Sequence, residues 1–177
     1  MIKNISNLGD AAVYCDFGKE VNKEINTNVI KYFYSIRNQK IRGINNLTPS
    51  YNKLIISFDL KLTNFNEIKK KIENLNINEV FIQNNKELKI PVCCDEIFGL
   101  DISILEKKLS IKKNKILENF FNKEYFCYMT GFIAGMPFLG DLNKNMHAKR
   151  LETPRVIVPK GSVGITEQFA NIYTFES

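Results

Sequence analysis

The sequence predicts an α+β chain in two parts, a small N-terminal α/β sandwich over residues 1–86 and a strand-rich second part over residues 87–177. Two observations carry this. In the first half, apolar periods of about two and about 3.6 alternate in a strand–helix–strand–helix–strand order. After Pro91 the pattern changes to short strands punctuated by glycine and proline, which suits a barrel or sandwich. The composition shifts near Asn84, Asn85 and Lys86, which marks the candidate boundary.

Taken in order, Ala11 to Phe17 reads as a strand that Gly18 ends. Val21, Ile25, Val29, Phe33 and Ile36 then recur at steps of three and four, an amphipathic helix that closes before Gly43. Tyr51 to Leu60 is a second strand, led in by Thr48 and Pro49. Asn64 or Asn66 caps a second helix with Ile68, Ile72 and Leu75 on one face. Val80 to Gln83 and Leu88 to Cys93 are strand-like. Asp101 to Leu109 and Ile111 to Phe121 read as short helices, with Ser110 placed to cap the second. Tyr125 to Met129, Arg155 to Pro159 and Val163 to Ile165 read as strands around a glycine-rich loop.

Composition narrows the function classes. The chain has 177 residues, of which 44% are hydrophobic and 25% charged, the balance of a soluble globular protein. There is no run of about 18 apolar residues to span a bilayer, and no apolar core behind Lys3 to make a secretory signal, so a cytoplasmic location is expected, with no membrane association. The net charge is +6 with a sequence pI near 9.1, yet lysine is spread along the chain. The densest basic stretch (Lys107, Lys108, Lys112, Lys113 and Lys115) has no interleaved aromatics and reads as a solvated helix face, so nucleic acid is not expected as a partner. The four cysteines, Cys15, Cys93, Cys94 and Cys127, contain no CxxC pair, and with His147 as the sole histidine they supply no metal site of standard spacing. They read as free thiols.

Three segments carry residue types that chemistry needs. Gly131-Phe-Ile-Ala-Gly-Met-Pro-Phe-Leu-Gly140 places Gly131, Gly135 and Gly140 among bulky apolar residues, a turn or a loop whose N–H groups face an anion. No Gly-Lys-Ser/Thr follows, so it is not a Walker A loop. Arg150-Leu-Glu-Thr-Pro-Arg155 brings two guanidinium forks, Arg150 and Arg155, around a proline; they suit a carboxylate or phosphate, or surface salt bridges. Pro159-Lys-Gly-Ser-Val-Gly-Ile165 is a turn into a strand, with Gly161, Ser162 and Gly164 as candidate anion contacts. Ser162 lacks the Gly-x-Ser-x-Gly surroundings of an activated nucleophile. Asp141 and His147 lie just beyond the glycine-rich loop, His147 as a solvated residue. The residues alone reach a possible anion site and no reaction.

Read together, four stretches resemble one family. They are Gly9-Asp10-Ala11-Ala12; Gly43 to Tyr51 leading into Leu54-Ile-Ile-Ser-Phe-Asp59; Ile90-Pro-Val92 with Gly99-Leu-Asp101; and Tyr125 through Ile165, with its Gly131-Phe132, Leu139-Gly140, Thr153-Pro-Arg155, Val158-Pro159 and Gly161-Ser-Val-Gly-Ile165. The chain resembles the carboxyltransferase domain, subdomains C and D, the family that includes the B-type subunit of bacterial 5-oxoprolinase, the kinase inhibitor KipI and the first allophanate-hydrolase-type subunit. The resemblance implies a C-terminal cyclophilin-like β-barrel after the N-terminal α/β domain. It implies an ATP-dependent lactam or amide hydrolase, 5-oxoprolinase, with ATP as co-substrate of the complex. It implies a second, C-type carboxyltransferase-like subunit and a third subunit as partners. Arg155 and Arg150 would hold an anionic group, with N–H donors from the 131–140 and 161–164 segments. The alternative within the family is a KipI-like protein that inhibits a histidine kinase, or an inactive shortened paralogue. The sequence departs from the family at Phe120, where a histidine is usual, and at Ala134-Gly135-Met136, where Pro-Gly-Phe is usual. It ends at Ser177, before the family's Pro-Gly-Gly-Trp and Gly-Arg-Thr segments, so the barrel is expected to be incomplete.

Overall fold

The structure, a computed structural model, describes residues 1–77 and 86–177. The strand expected at Val80 to Gln83 lies outside the described residues. The chain divides into two compact units, Met1–Asn85 and Lys86–Ser177, each with mixed helices and an antiparallel sheet, an α+β fold.

In the first unit, β1 (Asn4–Asn7), β2 (Ala12–Asp16), β3 (Ile44–Pro49) and β4 (Lys53–Phe58) form a sheet of order β1-β2-β4-β3, antiparallel throughout. Alternation sets its inner face. Val13 and Cys15 on β2 and Leu54, Ile56 and Phe58 on β4 are buried, and their neighbours in sequence are not. Two helices supply the facing apolar stripe: Val29, Tyr32 and Ile36 from α1 (Lys23–Gln39), and Ile68 and Ile72 from α2 (Phe65–Glu73). Each fully buried isoleucine there stabilises by about 1.5–3 kcal/mol relative to exposure. Asn22 caps α1 by accepting from the Ile25 N–H at 2.9 Å, and Asn64 caps α2 by accepting from the Glu67 N–H at 3.1 Å. Burial pushes the Cys15 thiol up to about 12, so it serves as a small apolar core residue.

A polar latch holds the β3–β4 turn. Asn26, buried on α1, donates through Nδ2 to the Ser50 and Tyr51 carbonyls at 3.1 and 2.9 Å. Asn52 donates to the Gly18 and Glu20 carbonyls at 2.9 and 3.0 Å. Lys53 pairs with Asp16 at 2.5 Å and also reaches the Gly18 carbonyl at 2.6 Å. Thr48 and Pro49, expected as a lead-in, belong to β3 itself, which pairs Thr48 with Ile55 and Pro49 with Leu54.

The second unit holds α3 (Ile102–Leu109), α4 (Lys113–Phe121), β5 (Phe126–Thr130), β6 (Pro137–Gly140), β7 (Val163–Thr166) and β8 (Phe169–Ile172). The sheet order is β5-β6-β8-β7, open at β5 and β7 among the described residues. Ile116 of α4, Leu142, Met146 and Ala170 of β8 form its core. Three expectations need correction. Leu88 to Cys93 is not a strand: Pro91 offers no N–H to a ladder, and Leu88 and Ile90 are exposed. Arg155 to Pro159 is likewise irregular, flanked by Pro154 and Pro159; only Val158 joins a strand-like exchange, with Ser177, at 2.6 and 3.1 Å. Ser110 does not cap α4. It is the left-handed C-cap of α3 (φ 55°), and the Lys113 N–H at the start of α4 donates instead to Glu106 Oε1 at 2.7 Å.

Candidate functional site

The segment 90–100 of the second unit, irregular apart from a 3₁₀ turn at Glu96–Phe98, forms one wall of a groove of about 400 Å³. Ile116 and Phe120 of α4 form another, and the turn 159–162 with β7 closes it. The lining is mainly apolar, and its polar groups are few: Lys113, Lys160, Ser162 and the thiols of Cys93 and Cys94. Such a composition suits a ligand or chain segment that is held by apolar contact and oriented by few polar ones. A hollow of about 440 Å³ in the first unit, between α1 and β3, is lined by none of the candidate site residues.

Of the sequence candidates, Gly161 and Ser162 line the groove. Their N–H groups do not point to a ligand. The Gly161 N–H donates to the Tyr173 carbonyl at 2.7 Å and the Ser162 N–H to the Pro159 carbonyl at 3.1 Å. Gly161 has φ 86°, so its glycine serves the turn. Gly164 faces Asn171 across the β7–β8 ladder, and a Cβ there would meet Asn171 Oδ1 at 2.5 Å.

The glycine-rich segment is a hairpin connection and β6, not an open anion loop. The Gly131 N–H donates to the Met136 carbonyl at 3.0 Å, Gly135 turns the chain at φ 72°, and Gly140 pairs with Phe126 in β5. A Cβ at Gly140 would lie 2.7 Å from Tyr128 Cε2 and 3.2 Å from Phe169 Cδ1, so close packing requires the glycine. At the tip of this hairpin Phe132 is 76% exposed and held at φ 67°.

Arg155 is exposed at the groove's margin and donates through Nε and Nη2 to both carboxylate oxygens of Asp101, with Nε to Oδ2 at 3.3 Å. Asp101 sits between Leu100 and Ile102, which both line the groove. The carboxylate raises the guanidinium pKa above its ordinary value by accepting these bonds. The Arg155 fork is thus already filled by a carboxylate. Arg150 is exposed too, and its carbonyl accepts from Lys108 Nζ at 3.5 Å. The structure does not join Arg150 to Arg155 in one site.

One cluster escaped the sequence reading. The Tyr128 hydroxyl donates to Asp141 Oδ1 and Oδ2 at 3.2 and 3.1 Å, Gln168 Nε2 reaches Oδ1 at 3.4 Å, and the Lys123 ammonium donates to the Asp141 carbonyl. Burial, and then the neighbouring carboxylate, push the Tyr128 phenol up to about 12. The cluster fastens the end of β6 to β5 and the β7–β8 turn. The only sequence signal was Asp141 beside Gly140. His147 is exposed, with Nε2 3.2 Å from the Leu142 carbonyl. Among the described residues no group of three or more His, Cys, Asp and Glu side chains is placed to hold a metal ion, and no helix is long and apolar enough to cross a membrane.

Residues 3–177 match the family described as carboxyltransferase domain, subdomain C and D. The chain is 30% identical over 181 residues to the B-type subunit of 5-oxoprolinase from Bacillus subtilis, covering 96% of this chain and 75% of that protein. It is 28% identical over 180 residues to the B-type subunit of 5-oxoprolinase from Haemophilus influenzae, covering 98% and 81%. Among solved structures, TTHA0988 matches with a TM-score of 0.84 at 21% identity, over 95% of this chain and 33% of that one. Kluyveromyces lactis urea carboxylase matches with a TM-score of 0.76 at 16% identity, over 96% of this chain and 17% of that one. These two likenesses show the fold, and the chain spans a third or less of each.

Proposed function

This chain belongs to the carboxyltransferase domain, subdomain C and D, family, and on that premise we propose that it is the B-type subunit of an ATP-dependent 5-oxoprolinase, inactive without its partner subunits. The observation that carries the reading is the 30% identity to a protein named as the B-type subunit of 5-oxoprolinase, over 96% of this chain and 75% of that protein. The partners in this reading are a C-type carboxyltransferase-like subunit and a third subunit, and the assembly works in the cytoplasm.

The chemistry asked of the assembly is the opening of a five-membered lactam to glutamate. A lactam carbonyl is a poor electrophile. Transfer of a phosphoryl group from ATP to its oxygen creates a leaving group, and positioning with charge stabilisation does the rest. This chain's backbone supplies no phosphate cradle at Gly131, Gly161 or Ser162, whose N–H groups are engaged within the chain, so no ATP step is assigned to it. Its own part is recognition. The groove offers apolar contact with Lys113, Lys160 and Ser162 as orienting groups. In this reading Arg155 holds an anionic group by exchanging its Asp101 carboxylate for that of the ligand.

Co-expression with the C-type and third subunits, followed by purification and an assay of 5-oxoproline-dependent ADP release, tests this. Co-purification with substrate-stimulated turnover is the expected result. A folded chain that neither co-purifies nor supports turnover refutes it. In the working complex, Arg155→Ala should lower turnover far more than it lowers thermal stability; equal losses in both would make Arg155 a structural residue.

A further inference from the structure

Cys93 and Cys94 are adjacent, and both line the groove of the second unit. On a strand, neighbours would point to opposite faces. Here that part of the chain forms no strand, and both residues line one concave surface. Cys93 is exposed and Cys94 half-buried. Their S–H groups make only long contacts, Cys93 Sγ to Asp95 Oδ2 at 3.5 Å and Cys94 Sγ to the Val92 carbonyl at 3.9 Å. A reagent can take them at little cost.

Adjacency decides what such a pair binds. Consecutive Cα atoms are about 3.8 Å apart, whereas disulfides prefer roughly 4.4–6.8 Å. A direct S–S bond between the two would be strained and easily reduced. An atom inserted between the sulfurs relieves that strain by widening their separation. A four-coordinate ion such as zinc needs further protein donors, and no group of three or more metal-ligating side chains occurs among the described residues. A three-coordinate soft centre needs only the two sulfurs and keeps its own third substituent.

We propose that Cys93 and Cys94 form a bidentate thiol site for a trivalent organoarsenical. In the reaction with an aryl arsine oxide, two As–S bonds form and the As=O bond breaks. Both thiol protons leave with the oxygen as one water molecule. Arsenic stays trivalent, and no electrons are transferred. The aryl group lies against the exposed apolar wall of Ile97 and Phe98. Cys15 is buried in the first core and Cys127 stands alone on β5, so neither has a partner for chelation.

The test uses the full chain and phenylarsine oxide. After labelling, the protein is challenged with excess 2-mercaptoethanol and weighed intact. The wild type is expected to keep one phenylarsenic bridge, to lose two titratable thiols, and to release the bridge to 2,3-dimercaptopropanol. Cys93→Ser and Cys94→Ser should each lower retention at least about tenfold, because a single thiol forfeits the effective concentration of the second. Cys127→Ser should keep it. Peptide mapping of the wild-type adduct, which needs no variant to fold, should place the bridge on the peptide carrying both residues. Removal by the monothiol, retention in either Cys93→Ser or Cys94→Ser, or a bridge mapped elsewhere overturns the proposal. None of these outcomes depends on the 5-oxoprolinase reading.

Discussion

Gly140→Ala separates a packing role from a ligand role in the glycine-rich segment. The added methyl carbon would lie 2.7 Å from Tyr128 Cε2, 3.1 Å from Cδ2 and 3.2 Å from Phe169 Cδ1. The tightest contact is about 0.7 Å short of ordinary van der Waals separation. Tyr128 cannot swing away freely. It is buried, its hydroxyl is tied to Asp141, and Phe126 and Phe169 stand edge-on at 4.9 and 5.7 Å. Overpacking of this kind costs about 1–3 kcal/mol. The assay is urea denaturation of the wild type, Gly140→Ala, Tyr128→Leu and the double variant. If the clash is the cause, a smaller side chain at 128 should recover part of the loss, with a coupling of about 1 kcal/mol or more. A Gly140→Ala unfolding free energy within about 0.5 kcal/mol of the wild type, or strict additivity in the cycle, would refute the packing argument.

Three further outcomes follow from the geometry. Asn26→Leu should cost the first unit about 2–3 kcal/mol by denaturation, since it removes the donor that serves the Ser50 and Tyr51 carbonyls. Asp16 is held below its usual range chiefly by the hydrogen bond from Lys53, so its contribution is complete above its unfolded pKa near 3.8 and fades as the pH falls below it; Lys53→Met should flatten that acid limb of the stability–pH curve, and an unchanged limb would assign the slope elsewhere. Phe132→Gly should raise stability by about 1 kcal/mol in the same urea assay, because the exposed phenylalanine is held in the left-handed region that glycine adopts without strain.

The parts of the fold legible in the sequence were those with a local period and a local stop. The helix stripe through Val29 and Ile36, the strand into Gly18, the Asn64 cap with Ile68 and Ile72, and the two helices after Asp101 all carry their signal within a few residues. β1 and β3 do not. Asn4, Asn7, Asn45 and Asn46 disfavour strand locally, and pairing with β2 and β4 overrides that. Leu88 to Cys93 erred the other way, apolar in composition but without a ladder. The site was less legible still. The glycines were visible, but not the carbonyls that take their N–H groups, that of Met136 across the β5–β6 hairpin for Gly131 and that of Tyr173, twelve positions on, for Gly161. Arg155 was singled out, but its pairing with Asp101, 54 positions earlier, was not visible.

Each unit builds its core from its own residues: every member of the first cluster falls before residue 78, and every member of the second after residue 101. For inheritance, a crossover after Asn85 leaves the members of each cluster on the same side of the join. A chimera that joins Met1–Asn85 of this chain to the second half of a homologue would keep both described clusters whole. Substitutions that compensate one another within a cluster are therefore inherited together across such a crossover.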